Sequence, residues 1–231
     1  MNELVLVNSL DYLLKDINYV SIAIASAFFA AISNLLIKDI IKTVNSKDIL
    51  GINFLIMGIT LLVLSPFFFY FKVSFLSVSI LISIAIIDAF ANYYYFKAFE
   101  KSEVSIVTPL LALAPAFTFI FGWFFISDKA TVLEFFLALS IMIIIIIFST
   151  NFSKLKNFSQ TTLIPALISS LLFGFSAIPS KYLLNIDAIN AFTLYEIRAL
   201  LIALMAFYIF GLGTKVLKKS IIVNYLLEDY L

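Results

Sequence analysis

Between residues 17 and 212 the chain is almost continuous lipid-soluble sequence, broken by short charged links into seven blocks at 17–37, 49–71, 74–96, 104–126, 131–149, 163–182 and 191–212. At about 1.5 Å per helical residue, each block suits a hydrocarbon core of about 30 Å. Lipid offers the backbone no hydrogen-bond partner, so only helices and closed barrels span it, and these blocks lack the apolar/polar alternation of barrel strands. The expected fold is all-α, a polytopic transmembrane bundle of about seven helices. Hydrophobic residues supply 63% of the chain and charged residues 13%, with a mean hydropathy of +1.12, well outside the balance of a soluble domain. The lipid bilayer is therefore the first expected partner, and the location is a cell membrane, plasma or inner, crossed several times.

The chain has no histidine and no cysteine. Disulfides, thiolate nucleophiles, Cys/His zinc sites, axial-histidine haem and Ser-His-Asp triads are excluded on that ground. No metal site or cofactor is expected, and no P-loop is present to hold ATP. A paired-aspartate intramembrane protease would need two deep acids, and the sequence places only Asp88 deep in a span. An enzyme is accordingly not expected. Net charge is +1 with a pI near 7.8, which gives no basic stripe and no expectation of nucleic-acid binding.

Outside the spans, residues 1–16 read as a surface segment, with Leu4, Leu6, Leu10, Leu13 and Leu14 set among Glu3, Asp11, Lys15 and Asp16 in a weak amphipathic pattern. They lack the basic start and small-residue cleavage site of a signal peptide. Residues 214–231, opening with Lys215, Lys218 and Lys219, form a polar tail. An internal repeat emerges when the chain is slid on itself by 143 places, which sets Ser26, Ser33 and Lys38 over Ser169, Ser176 and Lys181. Each lysine closes a span and is followed by a polar linker and another span. An odd number of spans separates the copies, so they would lie inverted in the membrane, as in many transporters.

The stretch from Tyr93 to Phe148 carries an aromatic-and-alanine segment with a lysine (Tyr93 to Ala98), a Ser/Thr-rich link (Ser105 to Thr108), then Pro115-Ala116-Phe117-Thr118 and Gly122 in one helix. This order resembles the third to fifth helices of the drug/metabolite transporter superfamily, EamA type, and Lys38 is similar to the lysine that closes that family's first helix. The resemblance implies ten helices in two five-helix repeats. Residues 17–150 then form the first repeat and 161–213 the first two helices of a second. Two departures stand out: Asp128 replaces the usual glutamate of a Gly-Glu pair, and the fifth helix has Leu137, Ala138 and Ser140 where the family places small residues including glycine.

Polar groups inside the spans are the candidates for function, because an ionisable side chain at membrane depth costs about 2.5 to 3.5 kcal/mol on insertion scales. Asp88 is the sharpest, sharing a helical face with Asn92, Tyr95 and Phe99. It reads either as a substrate or proton site on a central cavity, neutral when unpaired, or as a packing acid held by a neighbour. Glu196 and Arg198, two apart and so on different faces, read first as interfacial or bridging residues, although the guanidinium fork of Arg198 also suits an anionic ligand. Lys38 and Lys181 at helix ends would by default snorkel to headgroups. Pro109 and Pro115, with Ser105, Thr108 and Thr118, free carbonyls at membrane depth and predict a kinked helix beside a cavity. With Asn34 on the first helix, the substrate-pathway candidates are Asp88, Asn92, Tyr95, Pro115, Thr118, Asn34, Lys38, Glu196 and Arg198.

With the N-terminus outside, ten lysines fall in cytoplasmic links against four elsewhere, whereas the family resemblance implies the N-terminus inside. Orientation stays open. The functional expectation is a secondary transporter (permease) of a small organic metabolite, working by alternating access and proton-coupled through Asp88. The alternative is a non-transporting or degenerate membrane subunit that needs a partner chain. Two packing expectations follow: helices one to five form one unit with the last two set against it, and an open apolar groove lies beside 191–212, filled by lipid or by a second copy in a homodimer.

Overall fold

The computed structural model describes residues 19–125, 131–149 and 160–211, and all of its regular structure is helical. The helices are α1 (Tyr19–Ile41), α2 (Ser46–Phe68), α3 (Phe75–Lys101), α4 (Val104–Leu111), α5 (Ala114–Phe125), α6 (Val132–Ser149), α7 (Gln160–Asn185) and α8 (Ala191–Phe210). Six stretches are long and apolar enough to cross a membrane, α4 and α5 together making one of them, and α6 is a shorter apolar helix. The seven blocks of the sequence thus correspond to seven helical stretches, one of them broken, and six of the seven are long and apolar enough to cross a membrane. The segment 1–16, the tail 214–231, Asp128 and the linker after Ser149 up to Ser159 lie outside the described residues.

Helix boundaries follow from local chemistry. Ser74 starts α3 as one half of a capping box, accepting from the Ser77 N–H while the Ser77 hydroxyl accepts from the Ser74 N–H. Asn190 caps α8 by accepting from the Thr193 N–H at 2.8 Å. The break between α4 and α5 traces to Pro115, whose nitrogen cannot donate to the Leu111 carbonyl four residues back. The chain tightens into a single turn there, with the Leu113 N–H donating to Leu110 O at 3.2 Å, and the helix restarts at Ala114. Pro115 itself sits in the first turn of α5, where a missing N–H is harmless.

Packing departs from the expected division into a five-helix unit and an appended pair. The most extensive contacts join α3 to α7 and α2 to α8; α7 packs also on α4 and α5, and α8 on α3, while α1 packs on α3 and α4 alone among the stronger contacts. Close approach explains part of this choice. A Cβ added at Gly51 would stand 2.5 Å from the Phe207 ring, and one at Gly58 would stand 2.6 Å from Leu200 Cδ2 and 3.2 Å from the Leu200 nitrogen. Gly174 likewise lets α7 onto α5, 2.5 Å being left to Phe117 Cβ and 3.0 Å to the Thr118 nitrogen. Small residues bring helices together in lipid, where no hydrophobic effect does so. On α8 the side bearing Ala199 and Ala206 is buried within the chain, against α2 and α3, while Tyr195, Leu204 and Tyr208 stay exposed on the other side.

The barest helix is α1. Only 6% of the apolar stretch of α1 is buried, against 39% for α3, α7 and α8. The residues matched by the repeat consequently sit in unlike surroundings: Ser26 and Ser33 of α1 are exposed, whereas Ser169 and Ser176 of α7 are buried against its neighbours.

Candidate functional site

Asp88, fourteenth of the 27 residues of α3, is fully buried. Its Oδ2 accepts from Arg198 of α8 twice, from Nε at 2.8 Å and from Nη2 at 2.5 Å, and the Arg198 side chain is 16% exposed. Asp88 is thus paired with a base on another helix, not with Asn92. Arg198 is not interfacial but bridges at depth to a neighbouring helix; its guanidinium also lies 5.4 Å from the Tyr195 ring centre. Both contacts fall on Oδ2, which gives the carboxylate its counter-charge in a dry site, while Oδ1 is buried without a hydrogen-bond partner.

From Asp88 the polar face of α3 continues as the sequence predicted. Asn92 donates its side-chain amide to the Asp88 carbonyl at 2.8 Å, within the helix. One turn on, the Tyr95 hydroxyl donates to Asn34 Oδ1 of α1, and the Asn34 amide reaches the Thr108 hydroxyl of α4 at 3.5 Å. Three helices are joined by that chain of groups. Phe99, next on the face, is buried with its ring 5.0 Å from Tyr95. Its carbonyl accepts from Lys38 Nζ at 2.6 Å, so Lys38 ties the end of α1 to the C-terminal turn of α3 instead of reaching for headgroups. Lys181 stands exposed near the end of α7.

The other candidates lie apart. Pro115 is exposed toward α6 and lines an apolar cleft of about 310 Å³ with Ala112, Phe119, Leu137 and Ile141. Thr118 donates to the Ala114 carbonyl of its own helix. Glu196 is buried at 2% exposure, with Oε2 lacking any hydrogen-bond partner. The interior therefore holds a second acid besides Asp88, which the sequence reading had assigned to the interface.

Two features escaped sequence reasoning. Ser170 and Ser169 of α7 each donate to a main-chain carbonyl of another helix: Ser170 to Leu110 O at the α4–α5 break, at 2.7 Å, and Ser169 to Ala91 O of α3, at 2.9 Å. The repeat had picked out Ser169, but not its role. The second feature is a clasp between the α2–α3 and α7–α8 links. Phe71 and Ile189 form an antiparallel bridge, the Lys72 N–H donates to Ala188 O at 2.7 Å, and the Tyr70 N–H donates to the Thr193 hydroxyl at 2.9 Å. Above it Lys72 pairs with Asp187 at 2.8 Å and the Tyr70 hydroxyl donates to the same carboxylate at 3.0 Å. Those bonds hold Asp187 below its ordinary carboxylate value and push Lys72 up to about 12. Asp187 adopts φ 52°, a left-handed turn that aspartate tolerates better than most residues.

At the opposite end of the bundle there is a polar cleft of about 370 Å³, bounded by Asn45, Ser46, Lys47, Tyr93, Lys97 and Glu100. One end of the bundle is thus tied shut by main-chain bonds, and the other carries a wet hollow.

A multi-pass helical bundle with polar groups converging at depth, a broken helix and unlike ends is the architecture of a membrane transporter. The family model of the EamA-like transporters matches residues 17–150, more than half of the chain, and the protein belongs to that family. Members of that family are transporters, not enzymes, which agrees with the exclusions drawn from composition. Comparison with curated proteins and with solved structures gave no significant match to either.

Proposed function

We propose that this protein is a permease of the plasma or inner membrane that moves a small organic metabolite by alternating access. The observation that carries the reading is the Asp88–Arg198 pair, which joins a helix of the first half to a helix of the second deep inside the bundle. Ionisable groups are retained at such depth chiefly for function, because a well-packed apolar pair would cost less. Asp88, Asn92, Tyr95 and Asn34 line the pathway in this reading, and a solute with a charged group would exchange for one partner of the ion pair. Rocking of α7 and α8 against α1–α3 would open the clasp as the polar cleft at the far end closes. We take residues 17–150 as one repeat and 161–213 as the start of a second, inverted one.

The test is uptake by purified protein in proteoliposomes, with a panel of amino acids, nucleosides and lipophilic cations. At least one solute should accumulate, and Asp88→Asn and Arg198→Gln should each reduce its uptake at least tenfold. Uptake unaffected by either substitution would remove the pair from the pathway. The partner-chain reading has one observation in its favour, the bare surface of α1. It predicts no transport by the purified chain and recovery when the partner is co-reconstituted.

A further inference from the structure

Among the described residues two acids are buried, Asp88 and Glu196. Arg198 is committed to Asp88 through two contacts, which leaves Glu196 without a counter-charge. Among the described residues Glu196 makes no ion pair, and its Oε2 is sealed from solvent with no partner. On α8 it is one turn from Leu200, which packs on Gly58, and one turn from Thr193, which accepts the Tyr70 N–H of the clasp. The carboxyl therefore sits on the α2-facing side of α8, close beneath the clasp.

The charged groups around it are few. Across that interface α2 has no charged residue from Leu50 to Phe68, Lys47 and Asp48 lying at its far end. On α3 the charged residues are Asp88, which Arg198 pairs, and Lys97, Glu100 and Lys101 at the far end, and α7 carries Lys181 and Tyr182, both exposed, near its end. On α8 itself the titratable neighbours are Tyr195, which is exposed, and Arg198. Above lie Tyr70, Lys72 and Asp187, the last two fully exposed and paired with each other.

An ionised carboxylate cannot remain dry without hydrogen bonds or an opposite charge, whereas a neutral carboxyl can. From this geometry we infer that Glu196 is the proton-binding group of the protein and that the clasp closes only over its neutral form. With the clasp open, water reaches Oε2, and the carboxylate takes up one proton from that water. The closed state carries the proton inside, and the group releases it once water reaches it again. The inference assigns the proton to Glu196 in place of Asp88, and it deepens the transport reading without depending on a known solute.

The test reads the clasp directly. Val73 and Ile186 are exposed, 76% and 45%, at its two edges. Val73→Cys and Ile186→Cys, spin-labelled in protein reconstituted into liposomes, report the distance between the links by dipolar electron paramagnetic resonance from about pH 4.5 to about pH 9. Lys72 and Asp187 keep their charges across that range, so the pair itself is constant. The expected result is a closed population that falls as pH rises, loss of that dependence with the clasp shut throughout in Glu196→Gln, and a displaced midpoint in Glu196→Asp. A glutamine variant with the parent's pH dependence, or a parent with none, would overturn the inference. Should Glu196→Gln fail to fold, infrared absorption of the glutamate-labelled parent decides instead: a glutamate carboxyl band must disappear in step with the opening of the clasp as pH rises, and the absence of such a band overturns the inference. A pH-dependent clasp in protein that moves no solute would leave the proton site standing and the transport reading without support.

Discussion

Removing one partner of the Asp88–Arg198 pair should be far more damaging than removing both. Asp88 is fully buried and Arg198 only 16% exposed on its side chain, so solvent screening does little to weaken their attraction. Asp88→Leu leaves a guanidinium with its two short contacts gone, and Arg198→Leu leaves a carboxylate with no partner for either oxygen. Each single change should cost about 3 to 5 kcal/mol, the range for breaking a buried pair. Asp88→Leu with Arg198→Leu removes both charges and puts apolar volume in their place, so the double variant should cost about 2 kcal/mol or less. The coupling energy of the cycle is then at least about 4 kcal/mol, well above the sub-kilocalorie couplings of ordinary hydrogen bonds between membrane helices. Reversible unfolding in mixed micelles, followed by loss of helical circular dichroism, gives all four free energies. Additive single effects below about 1 kcal/mol each would show that the two side chains do not share a dry ion pair, and the placement of α8 against α3 would have to be abandoned.

Gly174→Val should destabilise the bundle by about 1 to 3 kcal/mol, the cost of overpacking, because a Cβ there meets the α5 backbone as well as a side chain; Gly58→Ala, opposed mainly by the movable Leu200 side chain, should cost less, and the reverse order in the same unfolding assay would contradict the packing. Ser170→Ala should cost about 0.5 to 1.5 kcal/mol and loosen the α4–α5 break, read as faster hydrogen exchange at Ala112 and Leu113. The Lys72–Asp187 contribution to clasp closure should hold between Asp187's ordinary 3.8 and Lys72's ordinary 10.5. It should fade as pH falls through Asp187's lowered value or rises through about 12 at Lys72, and Asp187→Asn should remove the acid limb of a clasp-distance titration.

Most of the architecture was legible because lipid imposes a length and a composition on each span: seven apolar blocks became seven helical stretches, six of them long enough to span, and the Pro115 kink became a clean break. Which helix packs on which was not legible. Hydrophobic periodicity carries no address in lipid, and the contacts that decide it depend on Gly51, Gly58 and Gly174, whose partners lie more than 50 residues away. The polar face of Asp88, Asn92 and Tyr95 followed from helical spacing alone, but the Arg198 partner did not. Spacing relates residues within one helix and is silent between helices 110 residues apart. Glu196 was assigned to the interface because it lies in the second turn of its span, yet α8 begins beneath the clasp, which covers that turn. The clasp joins main-chain groups of two links with the side chains of Thr193, Tyr70, Lys72 and Asp187, pairings across more than 100 residues that no local pattern reports.

The central claim, that the clasp must open for a solute to cross, has a direct test in a chain with no native cysteine. Phe71 and Ile189 oppose one another in an antiparallel bridge, a spacing compatible with a disulfide. Phe71→Cys with Ile189→Cys should transport when reduced, lose at least about nine-tenths of its uptake when fully oxidised, and recover when reductant is restored, with each single variant indifferent to oxidant. Undiminished uptake with the disulfide quantitatively formed would contradict the account, because the solute would then be crossing a bundle whose one closed end never opens.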